Sequence, residues 1–141
     1  MKKFRKILAL ALVICCCMGI GCTSSIVKAA TTTVNLTNCT VTPGYSMRWF
    51  PTGQTAGYKL TEGGTQSMQF YLGEKGNQIS IGFMKYSTKT NYPLYTGTVN
   101  AYSKSVSKTL TGSTAYYQPY LTNRNETVYI NVKSSSYVKI Q

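Results

Sequence analysis

Apolar and polar residues alternate one by one in several segments beyond residue 30, and this is the clearest structural signal in the chain. Successive residues of a β-strand point to opposite faces of a sheet, so each segment predicts a strand with one apolar face. No window places apolar residues at helical spacing over three turns. The apolar positions of the three clearest alternations are Met68, Phe70 and Leu72, then Ile79, Ile81 and Phe83, then Val128, Ile130 and Val132.

Turn-forming Gly, Asn and Pro residues separate these segments at intervals of about eight to twelve residues, the spacing typical of a sandwich or barrel. The pattern predicts one all-β domain, an antiparallel β-sandwich over residues 30–141, with a jelly-roll and an immunoglobulin-like strand order both open. Residues 88–93 are predicted to form a sheet edge or a loop, because Pro93 cannot donate a backbone hydrogen bond. Strands are predicted at 31–37, 45–50, 56–61, 65–72, 78–85, 94–101, 106–111, 114–120, 126–132 and 136–140.

Residues 1–29 carry a different pattern. Four positive charges precede an uncharged apolar run from Ile7 to Ile20, the arrangement of a secretory signal peptide, and this run is shorter than the ~20 residues that span a bilayer. Val27 and Ala29 provide the small or aliphatic residues of a signal-peptidase site, so cleavage is expected after Ala29, with Ala30 as the alternative. The mature chain is expected to be secreted or associated with the cell surface and to contain no transmembrane segment.

A lipoprotein signal is the alternative interpretation of the same region. Small residues precede Cys22 at the end of the apolar run, and lipidation of that cysteine would anchor the protein at the cell surface. Such signals usually carry Leu where this chain has Gly19, so the match is incomplete. A third interpretation treats the four cysteines of this region as small hydrophobic residues of the apolar run.

The mature chain is cationic. Five of the fifteen Lys and Arg residues lie in the first 29 residues, so ten remain against three Glu, a net charge of +7. Such a protein is attracted to polyanions, and an anionic cell-wall polymer, a glycan or another surface protein is the expected partner. The charges are scattered, so ordinary solubility explains them equally well, and no specific nucleic-acid site is predicted.

The composition excludes most catalytic and metal-binding chemistry. The chain has no His and no Asp, which removes Ser-His-Asp and Cys-His arrangements and the common zinc sites. No enzyme activity, metal or cofactor is therefore expected; the one enzymatic alternative is a carboxylate pair drawn from Glu62, Glu74 and Glu126. Cys39 alone survives cleavage, so no intramolecular disulfide can form. Burial is its expected state, and an intermolecular link and a reactive thiol are the alternatives.

Tyrosine is the unusual feature, since all twelve lie in the mature part. Tyrosine rings bring a large apolar area with little rotamer entropy to lose, which suits sugar and protein contacts, but they also pair across strands as ordinary sheet residues. Pro119 is expected to place its neighbours at a sheet edge or strand end, and Trp49 is expected to fill the core. The predicted contact patch is Tyr116, Tyr117, Tyr120, Tyr92 and Tyr95.

These observations favour a non-catalytic binding module exported to a bacterial cell surface or the extracellular space. A secreted bacteriocin-like or toxin-like protein is the alternative, because small size and positive charge fit it as well. A glycan-active enzyme ranks third, since it depends on the three glutamates alone.

Overall fold

The computed structural model describes residues 30–109, 111 and 113–141. The predicted signal peptide and the alternative lipidation site Cys22 lie outside the described residues. Within that part of the chain the structure contains eleven β-strands and no helix. The strands are β1 (Thr32–Asn35), β2 (Cys39–Val41), β3 (Ser46–Arg48), β4 (Tyr58–Leu60), β5 (Thr65–Tyr71), β6 (Asn77–Lys85), β7 (Thr90–Val99), β8 (Ser103–Thr109), β9 (Ala115–Asn123), β10 (Ile130–Val132) and β11 (Tyr137–Ile140).

Two main antiparallel sheets contain nine of these strands. Sheet I has the order β1-β11-β5-β8, and sheet II has the order β3-β9-β6-β7, with β4 pairing beside β3 along the same edge of β9. Strands β2 and β10 form a third, two-stranded sheet, joined to sheet I by a bridge between Leu72 and Val132. The predicted all-β, antiparallel class is confirmed, and the arrangement is β-sandwich-like.

The strand pairs are nested inside one another along the chain. Strand β6 pairs with β7, β5 with β8, β3 and β4 with β9, β2 with β10, and β1 with β11. The chain is thus one long antiparallel hairpin that is folded over so that its segments alternate between two layers.

One hydrophobic core lies between the inward faces of the sheets. The predicted apolar positions of β5 and β6 are all buried, because alternate side chains of both strands face the other sheet. Trp49 is buried as predicted, and its ring centroid lies 5.7 Å from that of Phe70. The buried core residues are Leu36, Val41, Trp49, Leu60, Met68, Phe70, Leu72, Ile79, Ile81, Phe83, Val99, Tyr117, Leu121, Ile130, Val132, Val138 and Ile140.

The prediction that Val128 belongs to the core is wrong, since its side chain is 45 % exposed and β10 begins only at Ile130. The wholly buried Asn123 explains the difference. Its Nδ2 donates to the carbonyl oxygens of Val41 and Val128, each at 2.8 Å, and its Oδ1 accepts from the backbone N–H of Asn125 at 2.9 Å. A side chain therefore replaces the strand partner before β10, and the alternation does not apply there.

The connection between β3 and β4 covers the middle of the outward face of sheet II. The side chain of Gln118 donates to the backbone oxygen of Thr55. Gly57 lies so close to β9 that a Cβ atom would be 2.3 Å from the carbonyl oxygen of Tyr117. Met84 lies opposite Gln118 and is also buried. Both faces of sheet II are thus shielded near its middle.

The segment 88–93 was predicted as a sheet edge or a loop, and the structure contains both: a turn followed by an edge strand. Residues 86–89 form the turn between β6 and β7, and residues 90–93 begin β7, the edge strand of sheet II. Pro93 lies opposite Gly82 on that strand. An edge position tolerates proline because one side of the strand has no hydrogen-bond partner.

Candidate functional site

A cavity of about 390 Å³ opens between the two sheets at one end of the sandwich, here called the cavity end. It lies where β5 begins and β8 ends in sheet I, and where β6 ends and β7 begins in sheet II. This volume lies within the range of small-ligand sites. The lining residues are Gln66, Phe83, Asn91, Tyr92, Pro93, Leu94, Lys108, Thr109 and Thr111.

The sheet II side of the cavity is aromatic and apolar. Phe83 and Tyr92 lie opposite each other on the inward face of β6 and β7. Phe83 is buried, whereas Tyr92 is 43 % exposed, and the Tyr92 ring meets the ring of Tyr117 edge-on with centroids 6.1 Å apart. The tyrosine at the mouth is thus held by a second tyrosine behind it and still presents apolar surface to a ligand.

An irregularity in β7 brings two more apolar residues to this wall. Ile81 pairs with Tyr95, but the next residue, Gly82, pairs with Pro93, so Leu94 is an extra residue on β7. Such a bulge bends the strand and redirects side chains. Pro93 and Leu94 both line the cavity as a result.

The sheet I side is polar and carries one charge. Gln66 and Lys108 lie opposite each other on β5 and β8. The Gln66 amide is occupied by the backbone of Gln141, donating to its carbonyl oxygen at 2.8 Å and accepting from its N–H at 3.0 Å. Lys108 is exposed and is the only charged residue among the described lining residues. This wall therefore combines a buried amide with one positive charge.

Behind the aromatic wall, the Tyr117 hydroxyl donates to the backbone oxygen of Ser113 at 3.1 Å. Burial raises the pKa of Tyr117 above its ordinary value, and electrostatic interactions with Tyr92 and Glu62 raise it further. The phenol stays protonated at neutral pH, so it holds the wall as a neutral donor.

Beside the cavity, a cation–π contact joins the edge strands of the two sheets. The Nζ atom of Lys104 on β8 lies 3.8 Å from the ring centroid of Tyr95 on β7, and the Tyr95 hydroxyl donates to the carbonyl oxygen of Thr98. Of the predicted tyrosines, Tyr92 lines the cavity, Tyr117 supports it, and Tyr95 closes the seam next to it.

The other two predicted tyrosines lie on the outward face of sheet II. Tyr116 is 48 % exposed there, whereas Tyr120 is only 3 % exposed and Tyr117, on the inward face, only 1 %. The surface placement expected for Tyr117 and Tyr120 is corrected accordingly. Burial raises the pKa of Tyr120, and a hydrogen bond with Ser80 lowers it in part.

Pro119 lies in the middle of the interior strand β9, so the predicted sheet edge or strand end is wrong. Its carbonyl oxygen accepts from the backbone N–H of Trp49 at 3.0 Å. The N–H and carbonyl of one residue in an antiparallel strand point to the same neighbour, so the missing donor faces the gap between β3 and β4. An interior strand thus accepts this proline because its neighbouring strand is interrupted.

The three glutamates do not gather in one place. Glu62 follows β4 at the cavity end, and its backbone N–H donates to Thr114 Oγ1. Glu74 precedes β6 and Glu126 follows β9, both at the opposite end of strands nine residues long. In the part of the chain that the structure describes, no group of three or more Cys or Glu residues could hold a metal ion.

Cys39 is half-buried at the start of β2, and within the described residues it is a free thiol. Burial raises its pKa, which disfavours the reactive thiolate. The expected burial is therefore only partial.

Two residues of the cavity, Gln66 and Lys108, were not singled out by the sequence. Their separation along the chain hides the pairing of β5 with β8 that brings them together. The alternation around Met68 and Phe70 does place Gln66 on the inward face, and this was the only available signal.

None of the protein-family models, curated proteins or solved structures compared with the chain matches it. Among the described residues, no helix is long and apolar enough to cross a membrane.

Proposed function

We propose that the protein is an exported, non-catalytic binding module of the cell surface, and that it takes an acidic unit of an anionic glycopolymer into the cavity between sheets I and II. The observation that carries this proposal is the composition of the cavity: aromatic side chains on one wall and a single ammonium group, Lys108, on the other. This combination suits a ring with apolar C–H faces and a carboxylate or phosphate substituent.

Each wall has a distinct role in this interaction. The exposed ring of Tyr92, beside the buried Phe83, provides an apolar surface that the C–H face of a sugar or polyol can cover. The ammonium of Lys108 provides a compact point charge for the anionic group. The Gln66 amide, occupied by the Gln141 backbone, fixes the floor between them.

The charge distribution supports an anionic ligand. None of the eleven described strands contains an acidic residue, and their charged residues are all Lys or Arg. The three glutamates lie in the connections between strands. An anionic polymer that approaches either sheet therefore meets a positive potential, which accelerates encounter and weakens as salt is added.

We also propose that the strand order is that of a jelly roll. The nested pairs place segments of one long hairpin alternately in sheet I and sheet II, as β1, β3, β5, β6 to β7, β8, β9 and β11. An immunoglobulin-like order would instead group the strands as ABED and CFG.

Binding to defined polymers tests the cavity. The chain from residue 30 onward is titrated with polygalacturonate, with poly(glycerol phosphate), and with dextran as an uncharged polymer. We expect binding to at least one of the anionic polymers and none to dextran. Tyr92→Ala and Lys108→Gln are each expected to weaken binding roughly tenfold, as for central anchor residues.

Matched controls come from the opposite end of the sandwich. Tyr129→Ala and Lys133→Gln remove an exposed tyrosine and an exposed lysine far from the cavity, and both are expected to bind like the parent protein. Full binding by a folded double variant of Tyr92→Ala and Lys108→Gln would reject the cavity as the site.

The proposed export has its own test. Culture supernatant and cell-wall fractions are examined by mass spectrometry for the mature N-terminus. We expect a chain that begins at Ala30. Detection of a lipid-modified chain that begins at Cys22 would instead support the lipoprotein alternative.

A toxin-like protein that contacts membranes is a second candidate, favoured by apolar side chains exposed on two adjacent loops at the opposite end. Tyr45 is 70 % exposed, and Val128 and Tyr129 are exposed beside it. Asn123 holds the two loops together, because its backbone N–H donates to Tyr45 and its side chain to Val128. Growth inhibition of neighbouring strains that disappears with Tyr45→Ser and Tyr129→Ser would favour this candidate.

A further inference from the structure

On the outward face of sheet II, lysine and tyrosine side chains form a row across the strands at the cavity end. Lys59 on β4 lies opposite Tyr116 on β9. The backbone N–H of Tyr86, which directly follows β6, donates to the carbonyl oxygen of Tyr116 at 2.9 Å. These residues continue the outward positions of three adjacent strands, and two inter-strand steps span about 10 Å.

Lys89 completes this row in an unusual backbone conformation. Its φ angle is +56°, and it is the only non-glycine residue with positive φ among those the structure describes. Its Nζ atom lies 3.7 Å from the ring centroid of Tyr86. In the tight turn 86–89, Lys89 thus adopts a left-handed backbone conformation that glycine or asparagine usually occupies. In this conformation its ammonium group lies over the ring of Tyr86.

The row is open to solvent and contains no acidic residue. Tyr116, Lys59 and Lys89 are all exposed. No acidic residue lies in β4, β6, β9 or the turn 86–89. The nearest acid along the chain is Glu62, three residues after Lys59.

We propose that Lys59, Tyr116, Tyr86 and Lys89, the cation–tyrosine row, form a second subsite for the same anionic glycopolymer. The inference rests on the proposed function, because it assigns further units of one polymer to this row. Tyr116 and Tyr117 are successive residues of β9 that point to opposite faces, so the row and the cavity share one end of sheet II. A polymer bound at both places gains affinity through the high effective concentration of its second contact.

Chain length separates the two subsites experimentally. A double variant of Tyr116→Ser and Lys89→Gly is titrated with long polygalacturonate and long poly(glycerol phosphate), and with galacturonic acid and glycerol phosphate as single units. We expect roughly tenfold weaker binding of the long polymer and unchanged binding of the single unit. Because glycine suits the left-handed turn, Lys89→Gly is expected to leave the melting temperature unchanged or higher.

A matched control is available on sheet I. Lys139 and Tyr137 form a similar cation–π pair there, with Nζ 5.6 Å from the ring centroid. The double variant of Tyr137→Ser and Lys139→Gln also removes one tyrosine and one lysine side chain, and its polymer binding is expected to match that of the parent.

Each further outcome has one meaning. Parent-like polymer binding by the variant of Tyr116→Ser and Lys89→Gly, together with loss of polymer binding in Tyr92→Ala, overturns the second subsite and retains the cavity as the binding site. The opposite result is weaker polymer binding by the variant of Tyr116→Ser and Lys89→Gly, with Tyr92→Ala binding both polymer and single unit like the parent. It contradicts the proposed function, and with it the assignment of two subsites to one polymer.

Discussion

Asn123 shows, at the scale of single residues, how one buried amide can take the place of a strand. It is wholly buried at the end of β9 and bonds to β2, to the segment before β10 and to its own loop. Buried polar groups are stabilising only when their partners are present, and this one side chain donates to the carbonyls of both Val41 and Val128.

The substitution Asn123→Ala is therefore expected to lower the free energy of unfolding by about 2–4 kcal/mol, because it removes three hydrogen bonds of a wholly buried side chain. Urea unfolding monitored by Trp49 fluorescence measures this. The exposed Asn131, whose side chain accepts one hydrogen bond from Thr40, is the control, and Asn131→Ala is expected to cost less than about 0.5 kcal/mol. Equal effects of the two substitutions would show that Asn123 does not have this role.

At the scale of elements, the connection between β3 and β4 has the main influence on the burial of the outward face of sheet II. It crosses sheet II where β9 carries Pro119, and it packs on Gln118, which lies opposite the buried Met84 on the outward face. Both its glycines have positive φ, but only Gly57 lies against the backbone of β9. The close approach converts an outward sheet face into a second buried layer.

Two alanine substitutions within this connection separate backbone strain from close approach. Gly53→Ala meets open space at φ +74° and is expected to cost about 1 kcal/mol of unfolding free energy. Gly57→Ala has φ +99°, and its Cβ would also contact Tyr117, so a loss of about 3 kcal/mol or more is expected. Chemical denaturation measures both, and similar losses would contradict the close packing of the connection on β9.

Nested pairing governs the whole molecule, because the outermost strands β1 and β11 come from the two ends of the described chain. Closing such long-range contacts is entropically costly, and folds dominated by them form slowly. The same nesting brings the β6–β7 turn, the start of β5 and the end of β8 to one end, which creates the cavity.

Buried tyrosines give the whole molecule an expected pH dependence. Burial raises the pKa values of Tyr58, Tyr117 and Tyr120 above the ordinary value of about 10. The folded state then binds these protons more tightly than the unfolded state, so the contribution of these tyrosines to stability is constant below about pH 10 and falls as pH rises through their folded-state pKa values.

Urea unfolding between neutral and strongly alkaline pH, together with the ultraviolet absorbance of phenolate, measures this effect. The Tyr117→Phe variant is expected to show a shallower alkaline loss than the parent, although it also lacks the hydrogen bond to Ser113. Alkaline stability that does not decline would contradict the burial of these phenols.

The sequence by itself determined the class of the fold and much of its core. Strict alternation around Met68, Phe70, Ile79 and Ile81 is a local property of each strand, so it can be read without knowing the partner strand. Trp49 followed from its size and apolar character. The alternation failed at Val128, where a distant amide replaces the strand partner.

The tertiary structure alone decided which tyrosines are exposed and where the cavity lies. Tyr120 faces outward on β9 and is nevertheless only 3 % exposed, while Tyr117 is buried behind Tyr92. Lys108 reaches the cavity only because β8 pairs with β5. Exposure and proximity depend on contacts between residues far apart in the chain, and a pattern of neighbouring residues carries no information about them.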